Sequence, residues 1–484
     1  MEMHVDLIDR KDLSGEIYRQ LKRAMADGRL RPGDALPPTR ELARSLMVSR
    51  TTVSVAYERL AGDGFVTSRV GAGTFVSEDA ALPKSANRVS EAGVLRPQPV
   101  WASIDLPTTF DKPARFDFRT GLPSLSIFPH QTWQRLIRQS LRPSLAAAGV
   151  YQEPGGHRRL REAIAWHVGT SRGVSAVAED ITITNGAQQA LDVLARALLA
   201  PGDRIAVEDP GYGLPRHLFR SHGIEVVGIP VDREGLVVDA ISPDVRAVYV
   251  TPSHQYPLGV TMSLARRRSL LSWAELHNAA IIEDDYDGEF RFGGRPVDAL
   301  QTLDSYGRVV YVGSFSKVLL PTLRLGFVIT PPSLSRAMQA AKYVSDWGTS
   351  LLTQDALASF IEEGGFARHV RRAGAAYLRR HDLVVKTLRR DFGEYLEVLP
   401  SNAGLHLTAL AKRLSPGDIN TVIQRAVELG VALHPLSMFS EDIPLAGIAL
   451  GYGAIEIGEI EEGLRRLKLA FMTDLAPLTV RPLV

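Results

Sequence analysis

The sequence predicts an α/β body on a mostly parallel central sheet, preceded by a small helical domain that closes with a β hairpin. Three observations predict it. From Phe116 onward, short apolar β-branched runs alternate with amphipathic stretches, the pattern of strands buried on both faces with helical crossovers. Residues 1–77 carry helical spacing and then a glycine-punctuated β pattern. Between them, residues 78–115 are rich in Pro, Ala and Ser without a sustained period, which reads as a linker.

The composition excludes several classes. At 45% hydrophobic and 23% charged residues, the 484-residue chain can bury a large core and is neither disordered nor fibrous. It has no cysteine, so disulfides, thiolate metal sites and cysteine nucleophiles are excluded, and a reducing, cytoplasmic setting is expected. No apolar run approaches the roughly 20 residues of a membrane span, and the polar, acidic start MEMHVDLIDRKD is not a signal peptide. The formal net charge is only +2, so any nucleic-acid footprint must be local.

Within residues 1–77, Ile17, Leu21, Ala24 and Met25 have helical spacing across Ser14–Asp27, and Gly28 and Pro32-Gly33 stop that helix. A second helix starts near Arg40, with Thr39 as the expected N-cap and Leu42, Ala43 and Leu46 facing in. After the turn Met47-Val48-Ser49, Ser49 caps a third helix whose inward stripe is Val53, Ala56, Tyr57 and Leu60. Arg50, Thr51 and Thr52 face outward at its start, where a recognition helix presents residues to base edges and phosphates. Residues 64–76 read as a hairpin with a Gly-Ala-Gly tip. The same layout also suits a helical module that binds protein.

The order LPPTRELA, VSRTTV, YERLAGDGFV, GAGTFV resembles the winged helix-turn-helix domain of the GntR regulator family. The resemblance implies contacts to double-stranded DNA from Arg40, Arg50, Thr51 and Thr52, and a wing tip at Gly71 and Gly73.

In the body, Gly313-Ser314-Phe315-Ser316-Lys317 follows the strand VVYV, and Arg324 comes shortly after. A lysine amine can condense with an aldehyde, and flanking hydroxyls and a guanidinium suit a phosphate. Asp284 and Tyr286 follow the buried run AAIIE and alternate by two. One can pair with a pyridine nitrogen and the other with a phenolic oxygen. Thr184 to Leu191 reads as strand, small-residue turn and helix, whose amino end attracts a phosphate. Tyr212 follows another strand, placed to stack on a ring.

Together these segments resemble fold-type I aminotransferases across residues 116–484. The resemblance implies pyridoxal 5'-phosphate held as a Schiff base (internal aldimine) on Lys317, with Asp284 at the pyridine nitrogen, Tyr286 at the ring oxygen and Tyr212 stacked on the ring. It places the phosphate on Gly186, Ala187, Gln188, Ser314, Ser316 and Arg324. Tyr151, in Tyr-Gln-Glu-Pro-Gly-Gly, is implied to reach the phosphate of a partner subunit, hence a dimer. No metal is expected. With the winged helix, the linker, SHQYPLG at 253–259 and AGLHL at 403–407, the chain is similar to the MocR/GabR subfamily. That subfamily uses pyridoxal phosphate to sense small molecules and forms domain-swapped, head-to-tail homodimers.

Two departures bear on catalysis. Tyr256 stands where aminotransferases carry the asparagine of Asn-Pro-x-Gly, with His254 or Gln255 as substitutes or as structural residues. Ala449 stands where they carry the arginine that clamps a substrate carboxylate, and no arginine lies between Arg425 and Arg465. Losing that clamp costs several kcal/mol of binding, on the scale of bidentate charged pairs. Ordinary α-amino acids are therefore expected to bind poorly and transamination to be weak or absent. The effector is then pyridoxal phosphate itself or an atypical amino compound. A working aminotransferase with an accessory DNA-binding domain is the alternative function.

Overall fold

A computed structural model describes residues 12–69, 71–77, 97–102, 104, 114–142, 151–292, 298–442 and 444–472. They divide into two compact units, residues 1–98 and 99–484. Most of the expected 78–115 linker lies outside the described residues, although Pro99–Ala102 forms one helical turn (α4).

In the first unit, α1 (Leu13–Ala26) packs on α3 (Arg50–Gly62), with α2 (Thr39–Ser45) between them in sequence. Ile17, Leu21, Val53 and Leu60 are fully buried in a common core. Asp12 caps α1 by accepting from the Gly15 amide at 3.0 Å, and Ser49 caps α3 by accepting from the Thr52 amide at 3.1 Å. The expected Thr39 cap does not form. Thr39 is already helical, and the carbonyl of Pro38 receives the Glu41 and Leu42 amides at 2.9 and 3.1 Å. Strands β2 (Val66–Arg69) and β3 (Gly73–Val76) form the hairpin, and β1 (Ala35–Leu36) adds to it.

The second unit is built on an eight-stranded sheet in the order β5-β12-β11-β10-β9-β6-β7-β8. Before it come β4 (Phe116–Asp117), α5 (His130–Ser140) and α6 (Arg158–Arg172). The sheet strands are β5 (Ile181–Thr184), β6 (Arg204–Asp209), β7 (Glu225–Asp232), β8 (Gly235–Leu236), β9 (Val245–Val250), β10 (Ala280–Asp285), β11 (Val309–Ser314) and β12 (Gly326–Ile329). Only β12 and β8 run against the rest. Alternation sorts side chains to two faces. Val207, Tyr249, Ile282 and Val312 pack with Leu191 and Leu194 of α7 (Ala187–Leu198). Ala206, Val248, Val250 and Ile281 pack with Leu270 and Ala274 further along the chain. Both faces are covered, which is why these strands read as unbroken apolar runs.

Helices α8 (Gly213–Ser221), α9 (Leu264–Leu276) and α10 (Pro332–Asp346) pack on this sheet, α11 (Leu351–Glu362) packs on α5 and α6, and α12 (Gly365–Asp391) runs on to β13 and the C-terminal helix. A smaller sheet orders as β13-β14-β17-β16, from β13 (Leu396–Val398), β14 (His406–Ala411), β16 (His434–Pro435) and β17 (Gly447–Gly451). Helices α13 (Pro416–Glu428) and α14 (Ile460–Met472) accompany it, and β15 (Val431–Ala432) pairs with β4.

Candidate functional site

Strands β5, β6, β9, β10 and β11 share a direction, so their carboxyl ends meet at one edge, where open α/β sheets place their ligands. That edge carries Thr184, Asp209, Val250, Asp285 and Ser314 as last strand residues. The chemistry-bearing side chains gather beyond it.

Lys317 follows β11 and donates from Nζ to the carbonyl of Gly121 at 2.9 Å. Burial lowers its amine from the ordinary lysine range, against the opposing pull of the Asp287 and Asp284 carboxylates. A larger share of neutral amine makes it a better nucleophile toward an aldehyde.

Asp284 is buried near the end of β10. Tyr249 on the next strand donates its hydroxyl to Oδ2 at 2.7 Å. Oδ1 is buried and without a hydrogen-bond partner among the described residues. Desolvation raises this carboxyl to about 7. A protonated ring nitrogen at Oδ1 would satisfy the orphan atom and restore the charged form. Such unpaired buried acceptors cost ~1–3 kcal/mol.

Helix α7 begins at Ala187, with Gly186 as its N-cap at φ +82. Arg324 closes over this turn, donating from Nη2 to the Asn185 carbonyl at 2.7 Å. Gln188 Oε1 is a second buried acceptor without a partner among the described residues. Across from the turn, Ser314 Oγ accepts from the Ser316 amide at 3.1 Å. Free amides at a helix start, two serines and a guanidinium suit a phosphate. Strand β10 ends at Asp285, so the pleat does not set the direction of Tyr286. Its hydroxyl instead donates to the His254 carbonyl at 2.9 Å. Tyr212 meets Tyr256 edge-on, with ring centroids 5.8 Å apart. Tyr151 is 77% exposed and stacks on Trp347 at 4.2 Å. Lysine, orphan carboxylate and phosphate cradle together fit pyridoxal phosphate.

Several site residues were missed in the sequence. Thr120 shares a hydrogen bond with Tyr256 at 2.6 Å and another with His434 Nδ1 at 3.0 Å. Glu208 lies under Thr251, whose hydroxyl donates to it at 2.5 Å, and burial lifts it to about 7. His254, which the sequence offered as a substitute or a structural residue, pairs with Asp287 at 3.0 Å and with Ser401 at 3.1 Å, and His406 bonds the Pro257 carbonyl at 3.1 Å. His254, Asp287 and His406 have ligand atoms within 4.8 Å of one another, and hydrogen bonds occupy both nitrogens of His254, the Asp287 carboxylate and Nε2 of His406.

In the first unit, Arg40, Arg50 and Thr51 are exposed and Thr52 is half-buried. Arg50 Nε donates to Thr39 Oγ1 at 3.4 Å, joining the starts of α2 and α3. Gly71 and Gly73 hold φ +79 and +113 at the hairpin tip, and a Cβ at either would meet nothing. Backbone conformation, not packing, calls for glycine there.

A sheet-edge lysine, orphan carboxylate and phosphate cradle, in one chain with a three-helix unit that ends in a hairpin wing, define a cofactor-binding regulator. Residues 129–442 match the family Aminotransferase class I and II, and residues 13–76 match the bacterial regulatory proteins of the gntR family. The chain is 40% identical to the "Probable rhizopine catabolism regulatory protein MocR" of Rhizobium meliloti, over 94% of this chain and 93% of that one. It is 32% identical to the HTH-type pyridoxine biosynthesis transcriptional regulator PdxR of Corynebacterium glutamicum, over 91% of each. The kynurenine aminotransferase structure of Pyrococcus horikoshii superposes with TM-score 0.68 at 29% identity, over 75% of this chain and 91% of that one. The chain belongs to the MocR-type GntR regulators with an aminotransferase class I and II body. It is a pyridoxal-phosphate-dependent, DNA-binding transcription regulator. No helix among the described residues is long and apolar enough to cross a membrane.

Proposed function

We propose that the body senses a small molecule through pyridoxal phosphate on Lys317 and transmits the result to DNA binding without sustained transamination. The observation that carries this is the buried, unpartnered Oδ1 of Asp284 at the same sheet edge as Lys317. The bound cofactor supplies an aldehyde for the lysine and an electron-withdrawing ring. Asp284 holds a proton at the ring nitrogen, and Gly186, Ala187, Gln188, Ser314, Ser316 and Arg324 hold the phosphate. Tyr286 serves the ring oxygen, Tyr212 packs on the ring, and Tyr151 reaches across a head-to-tail homodimer in the cytoplasm.

Ala449 supports the absence of turnover. It is fully buried in β17, packed with Leu436 and Phe439 where a carboxylate clamp would project. Two effectors suit this site: pyridoxal phosphate itself, favoured slightly, or an atypical amino compound. Names among the relatives support both, one referring to pyridoxine biosynthesis and one to rhizopine catabolism. Either regulates only by binding two states of the body with different affinity. In the winged unit, Arg40, Arg50, Thr51 and Thr52 contact DNA and the Gly71–Gly73 tip lies along it. Residues 1–77, 78–115 and 116–484 act as reader, connector and sensor.

The test is the absorption spectrum of the full chain with pyridoxal phosphate beside Lys317→Ala. A visible lysine-bound cofactor band in the wild type alone supports the reading, and no band overturns it. A coupled assay with 2-oxo acids then checks turnover. Steady conversion of α-amino acids would show an enzyme with an accessory DNA-binding unit.

A further inference from the structure

The turn at Asn185-Gly186, where α7 begins, is held from two sides. Toward the phosphate cradle, the Asn185 carbonyl accepts from Arg324 Nη2 at 2.7 Å. Behind the turn, the Asn185 amide donates to Gln189 Oε1 and its side-chain Nδ2 donates to Asp346 Oδ2, both at 2.8 Å. Gln189 Nε2 donates to the same Asp346 oxygen at 2.7 Å. Asp346 is the last residue of α10, which packs on α7. The chain leaves it through Trp347 at φ +64, a conformation uncommon for a bulky non-glycine residue.

A carboxylate in this place is a poor support for an anion site, because like charges in partly buried surroundings repel. It also stands at the carboxyl end of a helix, which disfavours negative charge. Lys342, one turn earlier on α10, answers both problems. Its side chain is fully buried. Its Nζ donates to the two Asp346 oxygens at 2.7 and 2.8 Å, to Gln189 Oε1 at 2.8 Å and to Thr349 Oγ1 at 3.2 Å. Burial lowers its amine from the ordinary lysine range, and the Asp346 carboxylate opposes that and favours the charged form.

We propose that Lys342 is a positioning residue of the phosphate cradle: its ammonium neutralises the carboxylate that anchors Asn185, so the turn is fixed from behind without a net negative charge facing an incoming phosphate. The proposal rests on the cofactor reading above and adds the residues that set the charge of its cradle. A structural role alone would weaken every ligand of the site together. A charge role acts on phosphate-bearing ligands and spares those without one.

The experiment uses the full chain freed of cofactor. Calorimetry reads inorganic phosphate, and fluorescence reads pyridoxal 5'-phosphate and pyridoxal. Lys342→Met is expected to bind both phosphate ligands about tenfold more weakly, the scale of one unpaired charge roughly 10 Å away at an effective dielectric constant of about 20. Lys342→Met with Asp346→Asn is expected to recover most of that loss, and pyridoxal is expected to bind all of these proteins alike. Asp346→Asn alone removes the anion and keeps the cation. It is expected to bind inorganic phosphate at least as tightly as wild type, and it decides the matter if Lys342→Met does not fold. Weaker phosphate binding by Asp346→Asn, unchanged phosphate binding by Lys342→Met, or a loss shared equally by pyridoxal overturns the proposal. A wild-type chain that binds neither inorganic phosphate nor pyridoxal phosphate instead overturns the cofactor reading, a failure seen before any variant is made.

Discussion

Tyr249 donates its hydroxyl to Oδ2 of Asp284 at 2.7 Å, and Oδ1 of the same carboxyl is buried without a partner. The tyrosine fixes one oxygen and leaves the other to a ligand. Asp284→Asn keeps the shape and removes the charge. A hydrogen bond to a charged group contributes ~1.5–3 kcal/mol, so pyridoxal phosphate affinity is expected to fall roughly 10- to 150-fold. Cofactor titration by fluorescence reads the loss, and unchanged affinity would remove Asp284 from the site.

Gly186→Ala tests the phosphate cradle. The added Cβ would sit 3.2 Å from Arg324 Nη2, on a backbone at φ +82. A non-glycine residue at φ +82 and ψ 175 costs ~1–3 kcal/mol. The binding constant for pyridoxal phosphate is expected to weaken about tenfold, and inorganic phosphate is expected to compete less well. Equal competition in both proteins would place the phosphate elsewhere.

Glu208 tests the electrostatics of the cofactor-free body. Desolvation raises Glu208, Glu283 and Asp284 each to about 7. These values lie above those of an unfolded chain, so the fold favours the protonated carboxyls. That contribution is complete below the unfolded value of ~4 and is lost as pH rises through about 7. Glu208→Gln stays neutral throughout. Its thermal midpoint, relative to wild type, is expected to be higher at pH 8 than at pH 5. The same offset at both values would show that Glu208 does not titrate as described.

Arg50→Ala tests the winged unit. Arg50 is exposed at the start of α3 and bonded to Thr39. A lost base or phosphate contact of this kind costs about 1–3 kcal/mol. Fluorescence anisotropy with operator DNA is expected to show weaker binding, with the unfolding midpoint preserved. A smaller salt slope would mark a phosphate contact, and relaxed sequence preference would mark a base contact.

Placements that follow from local pattern were legible in the sequence. Ser49 sits between a turn and an apolar helical stripe, and it caps α3 as read. Lys317 follows an unbroken apolar strand, and Asp284 sits near the end of another. Thr39 misled because the backbone carbonyl of Pro38 had already satisfied the helix start, which side-chain propensity does not reveal. Tyr249, Thr120 and His434 were not legible. Thr120 and His434 lie 314 residues apart in sequence, and the pairing of β15 with β4 and of β16 with β17 brings their segments together. Tyr249 looked like one more apolar strand residue, and its hydroxyl matters only because β10 lies alongside.

The most direct measurement is the affinity of the full chain for a DNA fragment selected from its own genome, with and without pyridoxal phosphate, in wild type and Lys317→Ala. Wild-type affinity is expected to change at least about fivefold with the cofactor, the lower end of ordinary coupling between two sites, and the variant is expected not to respond. Equal wild-type affinity in both conditions would contradict regulation by pyridoxal phosphate through this site.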